Sequence, residues 1–214
     1  MKVRITVAWR VVLPTVLLAT SSASVQAEEY ESAFGFGISV PEVWLVLTRE
    51  QILDSAEHLM NEETDRDSVS GFASVPRPMR QAVNERVQTG ELEMYYRRGD
   101  RPDAFVDNVN VMQQVAELPS TQAQLVGICR ALPTEFSRIF GRPIGMDVCE
   151  MRERVGRRAL YIQFDGAVPG TTTLHYQLQR DSGSTLVFTA TTTLASLAQV
   201  TSEFEGMIAS IRLR

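Results

Sequence analysis

Two histidines, two cysteines and a run of arginines are the residues of this 214-residue chain whose types could carry chemistry. Neither His58 nor His175 has a cysteine or second histidine at ligand spacing, so a zinc site has no foundation. His175 alternates with Thr173 and Gln177 and opposes Leu174 and Tyr176, which places it on the polar face of a strand. A hydrolase near His175 is the enzymatic alternative. It would have to assemble its triad from unmarked residues, since no Gly-x-Ser-x-Gly elbow is present. Carboxylates are abundant, but no pair stands apart in the way a glycosidase requires. Glu62, Glu63, Asp65 and Asp67 offer oxygens to Ca²⁺, which makes a small-ligand or cation-binding protein a second alternative. They lack the spacing and glycine of an EF-hand loop, and the solvated acidic loop is the preferred reading.

Arg152, Arg154, Arg157 and Arg158 form the densest group of one chemistry. Period two sets Arg152 and Arg154 on one strand face with Glu150, while Arg157 and Arg158 follow Gly156 and a turn. Guanidinium forks suit carboxylate or phosphate recognition, so the four residues are a candidate anion or partner surface. Cross-strand pairing with acidic strands such as the one carrying Glu91 and Glu93 is the simpler use of the same residues.

The compartment decides what the cysteines do. Lys2, Arg4 and Arg10 precede or begin an apolar run from Val11 to Ala19, which gives way to small polar residues before Val25-Gln26-Ala27. That order is the one found in secretory signal peptides, so residues 1–27 read as a signal and 28–214 as the mature domain. The apolar run is shorter than the ~20 residues that span a bilayer, and no stable membrane insertion is expected after cleavage. Export to the periplasm, or secretion, follows. In an oxidising compartment Cys129 and Cys149, 20 positions apart, are expected to form one disulfide joining a helix to a strand.

Cleavage would leave 18 basic against 26 acidic residues, a net charge near −8, which disfavours nucleic acid as a partner. Lys2 is the only lysine. Schiff-base, phosphate-loop and Ser-Lys chemistry are therefore absent from the mature chain, and no cofactor is implied.

The elements that must position these residues are legible in the hydrophobic pattern. "FGFGISVPEVWLVLT" reads as two strands broken at Pro41, and "REQILDSAEHLM" as a helix. In "ELEMYYRR", Leu92, Met94 and Tyr96 alternate with Glu91, Glu93 and Tyr95, the pattern of a half-buried strand. "DAFVDNVNVMQQVAEL" continues as a strand with Asn108 and Asn110 on one face beside Val106 and Met112. "GMDVCEMRERV", "ALYIQFDGAV", "TTTLHYQLQR" and "STLVFTATTT" follow. Pro169-Gly170 and Asp181-Ser182-Gly183 supply hairpin turns, so an antiparallel meander is expected. Leu125, Ile128, Leu132, Phe136 and Ile139 draw one helical stripe, introduced by Pro119-Ser120-Thr121 and interrupted by Pro133, where a kink or two short helices are expected. Leu197, Val200, Phe204, Met207, Ile208 and Ile211 draw another. Asn61–Met79 reads as a surface loop.

Three stretches, "FGISVPEVW", "FVDNVNV" and "LVFTATTTLASLAQVTSEFEGMIASIRL", resemble in order the corresponding stretches of PsbP-like proteins. That group takes in the extrinsic photosystem PsbP proteins and bacterial envelope proteins of the DcrB type. The resemblance implies an α+β fold: an α/β/α sandwich whose central antiparallel sheet is covered by helices. It also implies a non-catalytic binding or assembly module of the cell envelope, with another envelope protein as partner and no family set of catalytic residues to transfer.

Overall fold

The computed structural model describes residues 27–47, 85–86, 89–98 and 105–214. The expected signal peptide (except Ala27), the helix expected over 49–60 with His58, and the acidic 61–79 loop lie outside the described residues.

Seven strands form one antiparallel sheet in the order β3-β4-β5-β9-β8-β7-β6: β3 (Trp44–Leu47), β4 (Glu93–Arg97), β5 (Asn108–Val115), β6 (Met146–Arg154), β7 (Arg157–Asp165), β8 (Thr171–Gln179) and β9 (Ser184–Thr193). The last four pair in sequence order, as the turn residues require, and β9 then pairs with β5 to place the strand that precedes the long helix beside the last strand of the meander. A second sheet of three strands, β1 (Ala27–Glu31), β2 (Phe36–Pro41) and β10 (Arg212–Leu213), ties the two ends of the described chain together. Arg212 pairs with Glu29 across it.

Among the described residues, two long helices cover opposite faces of the large sheet. Helix α1 (Gln122–Phe140) starts on a capping box: Thr121 Oγ1 accepts the Gln124 N–H at 3.2 Å, and Gln124 Oε1 accepts the Thr121 N–H at 3.2 Å. It ends at Gly141, whose φ of 68° is the left-handed stop that glycine supplies. Of the kink or two short helices expected at Pro133, the pair of helices does not occur: one helix runs through the proline. Its apolar side chains keep the continuous turn advantageous: Leu125, Ile128, Cys129, Leu132, Phe136 and Phe140 pack on Leu160, Ile162 and Phe164 of β7. Ile139, expected in that stripe, is 62% exposed, because the 3.6-residue repeat carries the buried face from Phe136 to Phe140 instead.

Helix α2 (Leu197–Ala209) packs Val200, Phe204, Met207 and Ile208 against the other face, joined by Ile211 just beyond its end. On that side lie Tyr95, Val109, Val111, Tyr161, Leu174, Tyr176, Leu178, Leu186, Phe188 and Ala190 of the sheet, with Phe36, Ile38 and Val40 of β2. The layers are helix, central antiparallel sheet and helix, with the small sheet alongside α2. This is the α+β sandwich that the periodicities and the resemblance lead to.

Strand β4 departs from its expected half-burial. Tyr95 is fully buried, and Glu93 is 8% exposed. Both faces of this strand are covered because the β1–β2 hairpin packs over one of them, a contact whose partners lie some sixty positions away in sequence.

Candidate functional site

Period two does set Glu150, Arg152 and Arg154 in one row on β6, on the α2 side of the sheet. Their partners are not Glu91 and Glu93. Strands β4 and β6 stand near opposite ends of the seven-stranded sheet, so the acids of one cannot meet the arginines of the other. Instead Arg152 donates to Glu150 at 2.7 Å and to Glu205 of α2 at 3.0 Å, and Arg154 donates to Glu205 at 3.0 Å. Arg152 also donates to the Tyr176 hydroxyl at 2.7 Å and lies 3.6 Å from the Tyr161 ring centroid. The Tyr176 hydroxyl donates to Glu205 at 2.7 Å, and burial together with that carboxylate pushes its pKa up to about 12. This pair of arginines is committed to holding α2 on the sheet edge.

Arg157 and Arg158 sit apart from it, beyond the Val155-Gly156 turn, whose φ values of 47° and 69° belong to a tight hairpin. Both are exposed, and among the described residues neither is paired with a carboxylate. Arg157 donates to the Arg180 carbonyl at 3.4 Å, and Arg158 to the Pro119 carbonyl. They line an open cleft of about 410 Å³ between the segment entering α1 and the β8–β9 turn, with Glu117, Leu118, Ser120, Gln179, Asp181 and Ser182. The Asp181 carboxylate is already engaged by the Ser184 hydroxyl at 2.7 Å and the Gly183 N–H at 2.9 Å, which lower its pKa. The four arginines are thus two pairs with different occupations.

His175 lies on the polar face of β8, as its alternation with Leu174 and Tyr176 requires. Its Nδ1 is 3.0 Å from Thr189 Oγ1. No serine or carboxylate is hydrogen-bonded to it among the described residues. Burial lowers its pKa to about 4, so the ring is neutral at physiological pH. The lowered value has a thermodynamic consequence. The unfolded chain takes up a proton below about pH 6.5 that the folded chain refuses until about pH 4, so stability is intact above 6.5 and declines as pH falls through that window. Replacing His175 by Gln is expected to remove on the order of 1–3 kcal/mol of this acid sensitivity, read from urea unfolding at pH 7 and pH 4.5. An unchanged pH dependence would contradict the assignment.

Two further acid clusters escape the sequence. Glu93 accepts from Ser32 Oγ at 2.9 Å, the Ala33 N–H at 2.8 Å, and the Tyr30 and Tyr95 hydroxyls at 3.3 Å each. Glu203 accepts from Arg97 Nε at 2.9 Å and Trp44 Nε1 at 2.8 Å, tying α2 to β3 and β4. Nothing local in the sequence distinguishes a paired glutamate from a solvated one. Among the described residues no group of three or more potential metal ligands comes together. No described helix is long and apolar enough to cross a membrane.

Cys129 of α1 and Cys149 of β6 are joined by a disulfide with Cα atoms 5.8 Å apart, within the range such bridges occupy. The bridge fastens the helix to the edge strand of the sheet.

No family model matches the chain, and no curated protein does. Solved structures do. The solution structure of cyanobacterial PsbP (CyanoP) from Synechocystis sp. PCC 6803 superposes with a TM-score of 0.51 at 12% identity, covering 91% of this chain and 96% of that one. The Ran-binding protein Mog1p of Saccharomyces cerevisiae gives 0.48 at 8% identity, over 89% and 96%. The architecture is therefore the PsbP-like fold, an antiparallel sheet between helices. At this identity the likeness to CyanoP is one of fold.

Proposed function

We propose that this chain is an exported, non-catalytic binding module of the cell envelope, and that the Arg157–Arg158 cleft receives an acidic segment of an envelope protein. The observation that carries the reading is the difference between the two arginine pairs. Arg152 and Arg154 are consumed by Glu205 and Glu150, whereas Arg157 and Arg158 line an open cleft with Glu117 and Asp181 and form no ion pair with either. Exposed guanidinium forks beside Ser120, Ser182 and Gln179 offer several N–H and O–H donors to one carboxylate. The hydrolase alternative finds no support at His175, whose side-chain hydrogen bond among the described residues goes to Thr189. Fold likeness to CyanoP is consistent with a binding role without specifying one.

Export is part of the same proposal. Residues 1–27 serve as the signal, and the mature chain begins at Glu28, which keeps the β1–β2 pairing from Glu28↔Val40 onward. The disulfide supports it, since such bridges persist in oxidising compartments.

The test is cross-linking in the envelope fraction, identification of the partner, and titration of the purified partner against the purified mature protein. The double replacement Arg157→Ala, Arg158→Ala is expected to weaken binding by about tenfold or more, and His175→Ala to leave it unchanged. Undiminished affinity of the arginine variant would remove the cleft from the proposal, and loss of function with His175→Ala in a folded protein would restore the hydrolase. Intact mass of the exported protein checks the cleavage: a mass that retains residues 1–27 would overturn it.

A further inference from the structure

Strand β6 is an edge of the seven-stranded sheet, and no described strand lies beyond it. Its ladder to β7 fixes which backbone groups point outward. The β6–β7 turn has two residues, Val155 and Gly156, both with positive φ, so Arg154 and Arg157 form the hydrogen-bonded pair that closes a type I′ hairpin. Antiparallel pairs alternate between bonded and non-bonded, and the register runs without a break from Arg154↔Arg157 back to Val148↔Gln163. Residues 148, 150, 152 and 154 therefore spend their N–H and C=O groups on β7. Those of Cys149, Met151 and Glu153 point away from the sheet. The Glu153 carbonyl shows this direction, since it accepts from the guanidinium of the next residue, Arg154, at 3.0 Å.

The apolar packing is equally incomplete along this edge. Val148 packs on the core under α2, and Cys149 and Met151 on the core under α1, yet all three are only half-buried, whereas Leu160, Tyr161 and Ile162 of β7 are 2–3% exposed. Natural edges blunt further pairing with short or kinked strands and with charge, lysine above all. Strand β6 has nine residues and no lysine, and its one irregularity lies at its start, between Met146 and Val148.

The charges on β6 select the strand that fits it. Glu150 and Arg152 have opposite signs and stand symmetrically about Met151. Because only residues 149, 151 and 153 can bond outward, two copies of β6 can meet antiparallel only in registers that pair these residues with one another. Centring the pair on Met151 sets each Glu150 opposite the second copy's Arg152, with Cys149 opposite Glu153 and Val148 opposite Arg154. Moving the axis one residue either way sets Arg152 on Arg152 or Glu150 on Glu150.

We propose that this chain forms a symmetric dimer in which β6 pairs antiparallel with β6 of a second copy about a two-fold axis at Met151, joining the two seven-stranded sheets into one. The two Met151 side chains meet on the α1 side. On the α2 side Arg152 keeps its bonds to Glu205 and Tyr176, and Glu150, whose side chain is 51% exposed, stands between its own Arg152 and that of the second copy. Arg154 gives up only the Glu153 carbonyl and keeps Glu205. The dimer does not depend on the Arg157–Arg158 cleft, which neither Glu150 nor Met151 lines.

The experiment is analytical sedimentation of the exported, disulfide-bonded protein from about 1 to about 500 µM. The mass is expected to rise from one copy towards two. Met151→Pro removes an outward N–H and leaves the ladder to β7 intact, so the variant should stay folded and associate at least about tenfold more weakly. Glu150→Arg changes an exposed side chain, which guards against a misfolded proline variant; it sets like charges opposite each other across the axis and should weaken association by about tenfold as well. Register is read by mild oxidation and peptide mapping. Met151→Cys should bridge to itself between copies, because bonded antiparallel pairs hold their Cα atoms about 5.5 Å apart, and Glu153→Cys, which faces Cys149 across the axis, should not. A mass of one copy over the whole range, association unchanged in Glu150→Arg, or self-bridging of Glu153→Cys in place of Met151→Cys would each overturn the proposal.

Discussion

Replacing Glu93 by Ala is expected to destabilise the protein by about 3–5 kcal/mol, the largest effect of any single polar substitution considered. Glu93 is 8% exposed, and its carboxylate accepts from four donors on three segments: the Ser32 hydroxyl and Ala33 N–H after β1, the Tyr30 hydroxyl in β1 and the Tyr95 hydroxyl in β4. Truncation leaves those donors buried without an acceptor and opens a cavity beneath the β1–β2 hairpin. Burial raises the Tyr30 and Tyr95 pKa values with or without the Glu93 charge, so both phenols remain protonated donors at ordinary pH. Glu93→Gln keeps one acceptor oxygen for the Ala33 N–H and is expected to lose less. For a domain of this size each kcal/mol moves Tm by about 2–4 °C, so a fall on the order of ten degrees is the expected reading. A change in unfolding free energy below about 1 kcal/mol would show that the hairpin is held by its apolar contacts alone.

The double variant Cys129→Ala, Cys149→Ala is the second large expectation. The bridge closes a loop with a sequence separation of 20 residues and constrains the unfolded chain by about 3 kcal/mol, which corresponds to a Tm lower by roughly 6–12 °C. The folded state should persist, because Leu125, Ile128, Leu132 and Phe136 still pack on β7. Partner binding is expected to be retained, since neither cysteine lines the Arg157–Arg158 cleft. Thiol titration of the unfolded, unreduced wild-type protein should find no free thiol. Two titratable thiols, or an unchanged Tm in the double variant, would refute the stabilising bridge.

Much of the architecture was legible beforehand because it rests on local periodicity. The meander β6–β9 could be read from alternation and from turn residues that sit where chain reversals fall. The α2 stripe was equally plain, since Val200, Phe204, Met207 and Ile208 recur at helical spacing and all four are buried. Errors appeared where two local rules compete. Pro133 argued for a kink or a break, and the break does not occur, because a helix whose apolar side is packed along its whole length tolerates one missing donor. Ile139 and Phe140 are adjacent apolar residues near a helix end, and only the packing against β7 selects between them.

Sequence alone determined the β6–β9 meander and the α1 and α2 stripes, the α+β class, the row of Glu150, Arg152 and Arg154, the polar placement of His175 and the pair of cysteines available for a bridge, because each depends on residue type and on spacing within one element; strands β1 and β10 of the small sheet were not among its readings. Tertiary structure decided which charges meet. Glu205 lies more than fifty positions from Arg152, and Glu93 some sixty from Ser32, and both become partners only when α2 and the β1–β2 hairpin close on the same face of the sheet. It likewise separated Arg157 and Arg158 from their neighbours, and set Asn110, Thr189 and His175 side by side from three strands. Pattern within an element follows from the backbone's own repeat, whereas pairing between elements follows from strand order, which no short stretch of sequence encodes.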